Sequence, residues 1–185
     1  MAEKSVPAIS EQIVLVTGGA RGLGKAVTEA FLREGAKGVI NYLTSADAAE
    51  QLAADANATK EGSAIAIQAD VTDPAAIKEL LAKAKEFFGA PVTTVVNNAL
   101  ASFSFDGDAR PKADTISWER FADQFEGNVR GALNTTQAVI EHFEEAGSGR
   151  IINIGTNLFQ HPVVPYHDYT ASKAALLSLT RTLAH

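Results

Sequence analysis

Ile13-Val14-Leu15-Val16-Thr17-Gly18-Gly19-Ala20-Arg21-Gly22-Leu23-Gly24 is the stretch that decides the fold. Four aliphatic residues in a row read as a strand buried on both faces. Glycines at 18, 22 and 24 then permit a tight turn and close approach of the backbone to a ligand. Leu23, Val27, Ala30 and Phe31 recur at helical spacing, and Gly35 stops that helix. A strand, a glycine turn and a helix in this order present free N–H groups and a positive dipole end to phosphate oxygens. A plain glycine-rich connection is the alternative without a ligand. Gly19 to Lys25 also has the GxxxxGK spacing of a nucleotide triphosphatase loop, but Ala26 stands where a magnesium-binding Ser or Thr belongs. The glycine spacing therefore fits a dinucleotide pyrophosphate better.

Outward from the turn, strands and helices alternate. Gly38 to Asn41 reads as a strand, Ala46 to Lys60 as a helix and Ala64 to Gln68 as a third strand. Asp73-Pro74 opens the next helix, with an acceptor side chain at the cap and proline at the first helical position. Ile77, Leu80, Leu81, Ala84 and Phe88 form its apolar stripe, and Gly89 ends it. Thr93 to Asn97 makes a fourth strand. Ser117 is placed to cap one long helix running to Ala146. Arg150 to Ile154 makes a fifth strand, and Tyr166 to His185 is helical. Such alternation predicts an α/β fold with a doubly wound parallel sheet of Rossmann type, in a single domain over 1–185. The long loop from Ala101 to Asp114 follows the carboxyl end of a strand, the edge where open α/β sheets bind ligands.

Composition narrows the function classes. The chain has 185 residues, 46% hydrophobic and 21% charged, which suits a soluble domain with a full core. A net charge of -6 argues against a general nucleic-acid or anionic-membrane binder. The absence of cysteine excludes disulfides, thiolate catalysis and Cys-ligated zinc, and the four histidines have no ligand spacing, so no metal is expected. No segment has the apolar length of a membrane span, and no signal sequence is evident, so the expected compartment is the cytoplasm.

Tyr169-Thr170-Ala171-Ser172-Lys173 places a phenol and an ammonium one above the other on a helix face. A phenol near pKa 10 is a poor acid or base at neutrality, and a cation beside it favours the phenolate. At about 5 Å and an effective dielectric of about 20, the attraction is about 3 kcal/mol, or some two pKa units. That brings the hydroxyl toward useful proton transfer. Tyr and Lys four apart on a helix otherwise simply decorate a solvated face.

Taken together, these residues resemble the classical short-chain dehydrogenases/reductases, in particular the 3-oxoacyl-acyl-carrier-protein reductase-like members. The family's TGxxxGxG appears as Thr17 to Gly24. Its acidic residue after the third strand appears as Asp70, followed by Val71. Its Asn-Asn-Ala-Gly appears as Asn97-Asn98-Ala99-Leu100, its helix asparagine as Asn128, its YxxxK as Tyr169 and Lys173, and its serine position as Thr156. The resemblance implies that Tyr169 exchanges a proton with the substrate oxygen and that Thr156 hydrogen-bonds that oxygen. It implies that Lys173 lowers the phenol pKa and holds the nicotinamide ribose, and that Asn128 fixes a water joining Lys173 to solvent. Gly18, Arg21, Gly22, Leu23, Gly24, Asp70, Val71, Asn98 and Ala99 would line the cofactor, together with Tyr169 and Lys173. The substrate implied is a ketone or its alcohol, such as a 3-oxoacyl thioester of fatty acid biosynthesis. A homodimer or homotetramer paired through the long helix and the final helix is implied as well.

The chain departs from the pattern in three places. Leu100 replaces a glycine, so the loop must bend differently or carry strain. Thr156 keeps the serine hydroxyl but adds a methyl group. The family's usual two further strands and substrate lid do not occur in this sequence, so the chain is expected to be either a fragment of a longer protein or a form with altered function, with the fifth strand as an open edge. A truncated, catalytically impaired dinucleotide-binding form acting through association is thus the rival to an active enzyme. For the cofactor, the end of strand two, Asn41-Tyr42-Leu43-Thr44-Ser45, lacks the carboxylate that NAD sites use on the ribose. Arg21, Thr44 and Ser45 could instead meet a 2′-phosphate, so NADP(H) is expected ahead of NAD(H). His161 and His167 flank the expected pocket in surface or loop roles. Arg110 and Lys112 read as solvated loop charges, or as contacts to an anionic substrate or carrier.

Overall fold

The computed structural model describes residues 7–100, 107–162 and 166–184, apart from the side chain of Asp108. Five strands, β1 (Ile13–Val16), β2 (Lys37–Tyr42), β3 (Ala64–Gln68), β4 (Thr94–Asn97) and β5 (Arg150–Asn153), form one sheet in the order β3-β2-β1-β4-β5. All four pairings are parallel. The helices between them are α1 (Gly22–Arg33), α2 (Ala46–Thr59) and α3 (Pro74–Phe88). After β4 come α4 (Trp118–Phe125), a π-helical segment (Glu126–Arg130) and α5 (Gly131–Ala146), and α6 (His167–Leu183) follows β5. This is the Rossmann-type arrangement that the alternating pattern predicts.

The sheet is buried on both faces in its middle. Ile13 and Leu15 of β1 point to a core shared with Ile77, Leu80 and Leu81 of α3 and Val139 of α5. The alternate residues Val14 and Val16 pack on the other face with Val27 and Phe31 of α1. Two-sided burial explains why β1 and β4 read as continuous apolar runs. β5, at the sheet edge, is only partly covered, and Ile152 is exposed.

Local signals act as expected around α3. Asp73 accepts a hydrogen bond from the Ala75 N–H at 2.8 Å, with Pro74 at the first helical position, and Gly89 ends the helix in the left-handed region at φ 67°. The expected uninterrupted helix from Ser117 to Ala146 needs two corrections. Ser117 sits at the cap position but makes no side-chain capping bond. The rod also changes to π-helical geometry over Glu126–Arg130, where one extra residue enters the turn. At Leu100 the loop bends rather than strains. No non-glycine residue among those described has positive φ, and the leucine side chain lies exposed.

Between β1 and β4 the sheet order reverses direction, and the chain leaves both strands at their carboxyl ends. A crevice at such a switch point is where open α/β sheets take ligands. Both motif-bearing regions lead there: the glycine turn from β1, and α6 through the segment after β5.

Candidate active site

The glycine turn is held by side chains from three strand ends. Thr17 Oγ1 accepts the N–H groups of Asn98 at 2.9 Å and Ala99 at 3.0 Å. The Asn98 carboxamide donates to the carbonyls of Thr17 at 2.9 Å and Gly18 at 3.2 Å. Asn41 Oδ1 accepts the Gly18 N–H at 3.3 Å, and its Nδ2 donates to the Ala69 carbonyl at 2.9 Å. Gly18 and Gly22 adopt φ of 60° and 51°, which other residues reach at a cost. A Cβ on Gly24 would lie 2.2 Å from the Gly18 carbonyl oxygen, whereas one on Gly22 would meet nothing within 4 Å. The turn is therefore packed tight beneath Gly24 and open above Gly22.

That open side carries the first N–H groups of α1, from Gly22, Leu23 and Gly24, which have no intrahelical acceptor. Arg21 is exposed at the N-cap position of α1. Thr44 and Ser45 follow the carboxyl end of β2, with Ser45 at the N-cap of α2 and making no side-chain cap. At the end of β3, Asp70 Oδ1 accepts from both the N–H and the hydroxyl of Thr72 at 2.8 Å, which builds a tight turn. The next carbonyl, Val71, accepts from Asn134 Nδ2 of α5 at 2.9 Å.

The second half of the site is built by α6. Lys173 is only 2% exposed, and its Nζ donates to the Ile154 carbonyl, just beyond β5, at 2.6 Å. Burial pushes its pKa down from 10.5 to about 8. Nζ lies 6.0 Å from the centroid of the Tyr169 ring, so phenol and cation are neighbours as their spacing predicts. Thr156 Oγ1 accepts the Leu158 N–H at 3.3 Å. Asn128, in the π segment, is buried, and its Nδ2 donates to Ser172 Oγ at 3.0 Å and Gln124 Oε1 at 3.3 Å. A cavity of about 10 Å³, measured as room for the centre of a water-sized sphere, lies among Thr17, Asn97, Ala99, Asn128 and Lys173. It lies between Thr17, which opens the glycine turn, and the Lys173 cation.

Several supporting residues escaped the sequence reading. Thr17 and Asn41 fasten the turn, and Ser172 meets Asn128. Arg120 of α4 pairs with the buried Asp168, one residue before Tyr169, at 3.3 Å. The presence of Thr17 and Ser172 inside the two motifs was the available signal; nothing local marks Asn41 or Asp168. Arg110 lies over the Tyr166 ring at 5.8 Å, so it is not merely a solvated loop charge. His142 is far along α5, where its Nδ1 accepts the Val92 N–H at 3.0 Å. Residues 101–106, most of the Ala101 to Asp114 loop's start, lie outside the described residues. Among the described residues no group of three potential metal ligands occurs, and no helix is long and apolar enough to cross a membrane.

Fold and site together define a Rossmann-type α/β protein with a glycine turn after β1 and a buried lysine beside the Tyr169 ring. The sequence pattern of short chain dehydrogenases matches residues 12–185, and the chain belongs to that family of oxidoreductases. It is 35% identical to a short-chain type dehydrogenase/reductase of Picea abies over 94% of its own length and 64% of the relative's. It is 34% identical to the NADPH-dependent aldehyde reductase 2, chloroplastic, of Arabidopsis thaliana, over 95% of the chain and 66% of the relative. Versicolorin reductase stcU of Emericella nidulans is 36% identical over 94% of the chain and 62% of its own length. The chain thus spans about two thirds of the length of these curated relatives.

Proposed function

We propose that the chain carries the cofactor-binding and proton-transfer parts of an NADP(H)-dependent oxidoreductase that interconverts a ketone and a secondary alcohol. The observation that supports this most is that Lys173, Asn128 and Thr17, the residue that opens the glycine turn, line one cavity beside the carboxyl ends of β1 and β4. The fit to a dinucleotide rests on the turn itself. The space above Gly22, at the head of a twelve-residue helix, suits close approach of a pyrophosphate. Gly18, Arg21, Gly22, Leu23 and Gly24 would hold that group, Asp70 and Val71 the adenine, and Asn98 and Ala99 the groove between. The nicotinamide, when bound, supplies the hydride.

The remaining chemistry belongs to the chain. Tyr169 gives a proton to the carbonyl oxygen, or takes one from the alcohol. Thr156, whose oxygen already accepts from Leu158, directs its own proton at the same substrate oxygen. Below about pH 8 Lys173 is mainly charged, and its ammonium lies 6.0 Å from the centre of the Tyr169 ring. Asn128 and Lys173 share a cavity with room for one water, which serves to return the proton. A 3-oxoacyl thioester is the proposed substrate, and the cytoplasm the proposed compartment. Following NADPH oxidation with a 3-oxoacyl thioester, a simple ketone and an aldehyde tests the reading. Dinucleotide binding without turnover of any of them would favour the impaired, association-only form.

NADP(H) is favoured over NAD(H) by Arg21, Thr44 and Ser45 and by the absence of a carboxylate at the end of β2. The Arabidopsis relative's name points the same way. Arg21→Ala should weaken NADPH binding about tenfold while changing NADH binding far less; equal losses in a titration at fixed salt would remove the argument.

The proposed homo-oligomer uses the rod of α4, the π segment and α5. Trp118, Phe125, Leu133 and Ile140 are exposed along it, and the extra π residue between Phe125 and Leu133 keeps the seven-residue stripe in phase. A second copy of the chain is the proposed partner. Replacing Leu133 and Ile140 by lysine should give a monomer in sedimentation equilibrium, whereas an unchanged oligomer would place the interface elsewhere.

A further inference from the structure

We propose that Ser172 and Gln124 are positioning residues which fix the end of the Asn128 carboxamide that faces Lys173. This rests on the reading above that Lys173 acts in the site as a cation. A carboxamide fits its space in two orientations of nearly equal shape, so its hydrogen-bond partners must choose between them. Here the choice is forced from α6. Ser172 is fully buried and has one hydroxyl proton, which it donates to the Tyr169 carbonyl at 2.9 Å. Its oxygen can therefore only accept from Asn128, which it does from Nδ2 at 3.0 Å. One helical turn back, Gln124 Oε1 accepts from the same Nδ2 at 3.3 Å. Turning the Asn128 amide over would set its oxygen against the Ser172 oxygen and forfeit that bond, and would require Gln124 to turn over as well.

The consequence lies at the other end of the amide. Asn128 Oδ1 is the one buried side-chain polar atom among the described residues without a hydrogen-bond partner. An oxygen left so would cost stability unless something polar comes to it. Asn128 lines the same water-sized cavity as Lys173. With Oδ1 presented there, the negative end of the amide dipole supports the ammonium and any water bound between them. With Nδ2 presented instead, the amide would oppose the cation. Neither Ser172 nor Gln124 lines the cavity, so each reaches it through Asn128.

Among the described residues, Lys173 is the only ionisable side chain lining that cavity. The elements around it carry Tyr169, His167, Arg181 and Asp168 on α6, the last paired with Arg120 of α4, Glu119 and Asp123 on α4, Glu126 paired with Arg130 in the π segment, Glu141, His142, Glu144 and Glu145 on α5, and Asp70 beside Val71. None is altered in the test variants. The test follows the Lys173 side chain by carbon-detected NMR titration in the 185-residue chain, for wild type, Ser172→Ala, Ser172→Thr and Gln124→Leu. Ser172→Ala should lower the Lys173 midpoint by about half a pH unit or more, and Gln124→Leu by less in the same direction. Ser172→Thr, which keeps the hydroxyl, should restore it. Midpoints within about 0.2 of wild type in both Ser172→Ala and Gln124→Leu would overturn the proposal. Should Ser172→Ala fail to fold, Gln124→Leu and the slow exchange expected of the wild-type Nδ2 protons decide the matter. The readout needs no turnover: a shifted midpoint in a chain that reduces no ketone would uphold the positioning and refute the catalytic reading.

Discussion

The two halves of the site differ in how fully their polar groups are satisfied. Around the glycine turn the buried side chains of Thr17, Asn41 and Thr28 are all bonded, and Asn98 braces two carbonyls. Around the α6 cavity a desolvated ammonium and an unpartnered carboxamide oxygen remain. The first region is a finished scaffold whose open side is backbone. The second retains bonding capacity at a stability cost, as expected where protons are moved.

The largest effect that would sharpen this contrast is expected at Gly24. A side chain there must displace the Gly18 carbonyl, since a Cβ would lie 2.2 Å from it. Gly24→Val should cost about 3 kcal/mol or more of stability and abolish dinucleotide binding. Urea unfolding and a fluorescence titration measure the two losses. A variant that folds with wild-type stability would show that the turn is looser than its packing indicates.

Next in size is the cost of the buried cation. The folded pKa of Lys173, about 8, lies below its ordinary 10.5, with burial as the cause. The unfolded chain therefore holds that proton more readily, and the folded state is penalised wherever the lysine is charged. Stability should be lowest in this respect below about pH 8 and should rise toward pH 10.5, by about 3 kcal/mol in all. Lys173→Met should lack that rise and should be the more stable protein at neutral pH. Parallel stability–pH curves for the two proteins would mean that the ammonium is better solvated than its surroundings suggest.

The same contrast explains what the sequence discloses. The strands of the sheet centre are legible because burial on both faces makes Ile13 to Val16 and Val95-Val96 continuous apolar runs. Asp73-Pro74 and Gly89 mark α3 through local rules that the structure obeys. The Tyr169–Lys173 pairing is legible because helical spacing alone brings the two together. What remains hidden depends on contacts distant in sequence. Asn128 meets Ser172 across 44 positions, and Lys173 reaches the Ile154 carbonyl across 19. The π segment has no local signature, because its extra residue is accommodated rather than encoded by periodicity. Ser117 fits a cap by composition, yet its side chain makes no capping bond. Asp70 shows the converse: a residue suggested by resemblance to meet the cofactor also spends one oxygen on its own turn.

The central claim is that the hydroxyl of Tyr169, whose ring centre lies 6.0 Å from the Lys173 ammonium, moves the proton in a reaction that uses a dinucleotide bound at the glycine turn. Tyr169→Phe removes that hydroxyl and leaves the turn untouched, so NADPH binding and NADPH oxidation with a ketone should be measured together on both proteins. The account predicts an affinity for NADPH within about twofold of wild type and a turnover lower by about a thousandfold. Turnover retained by Tyr169→Phe would contradict it.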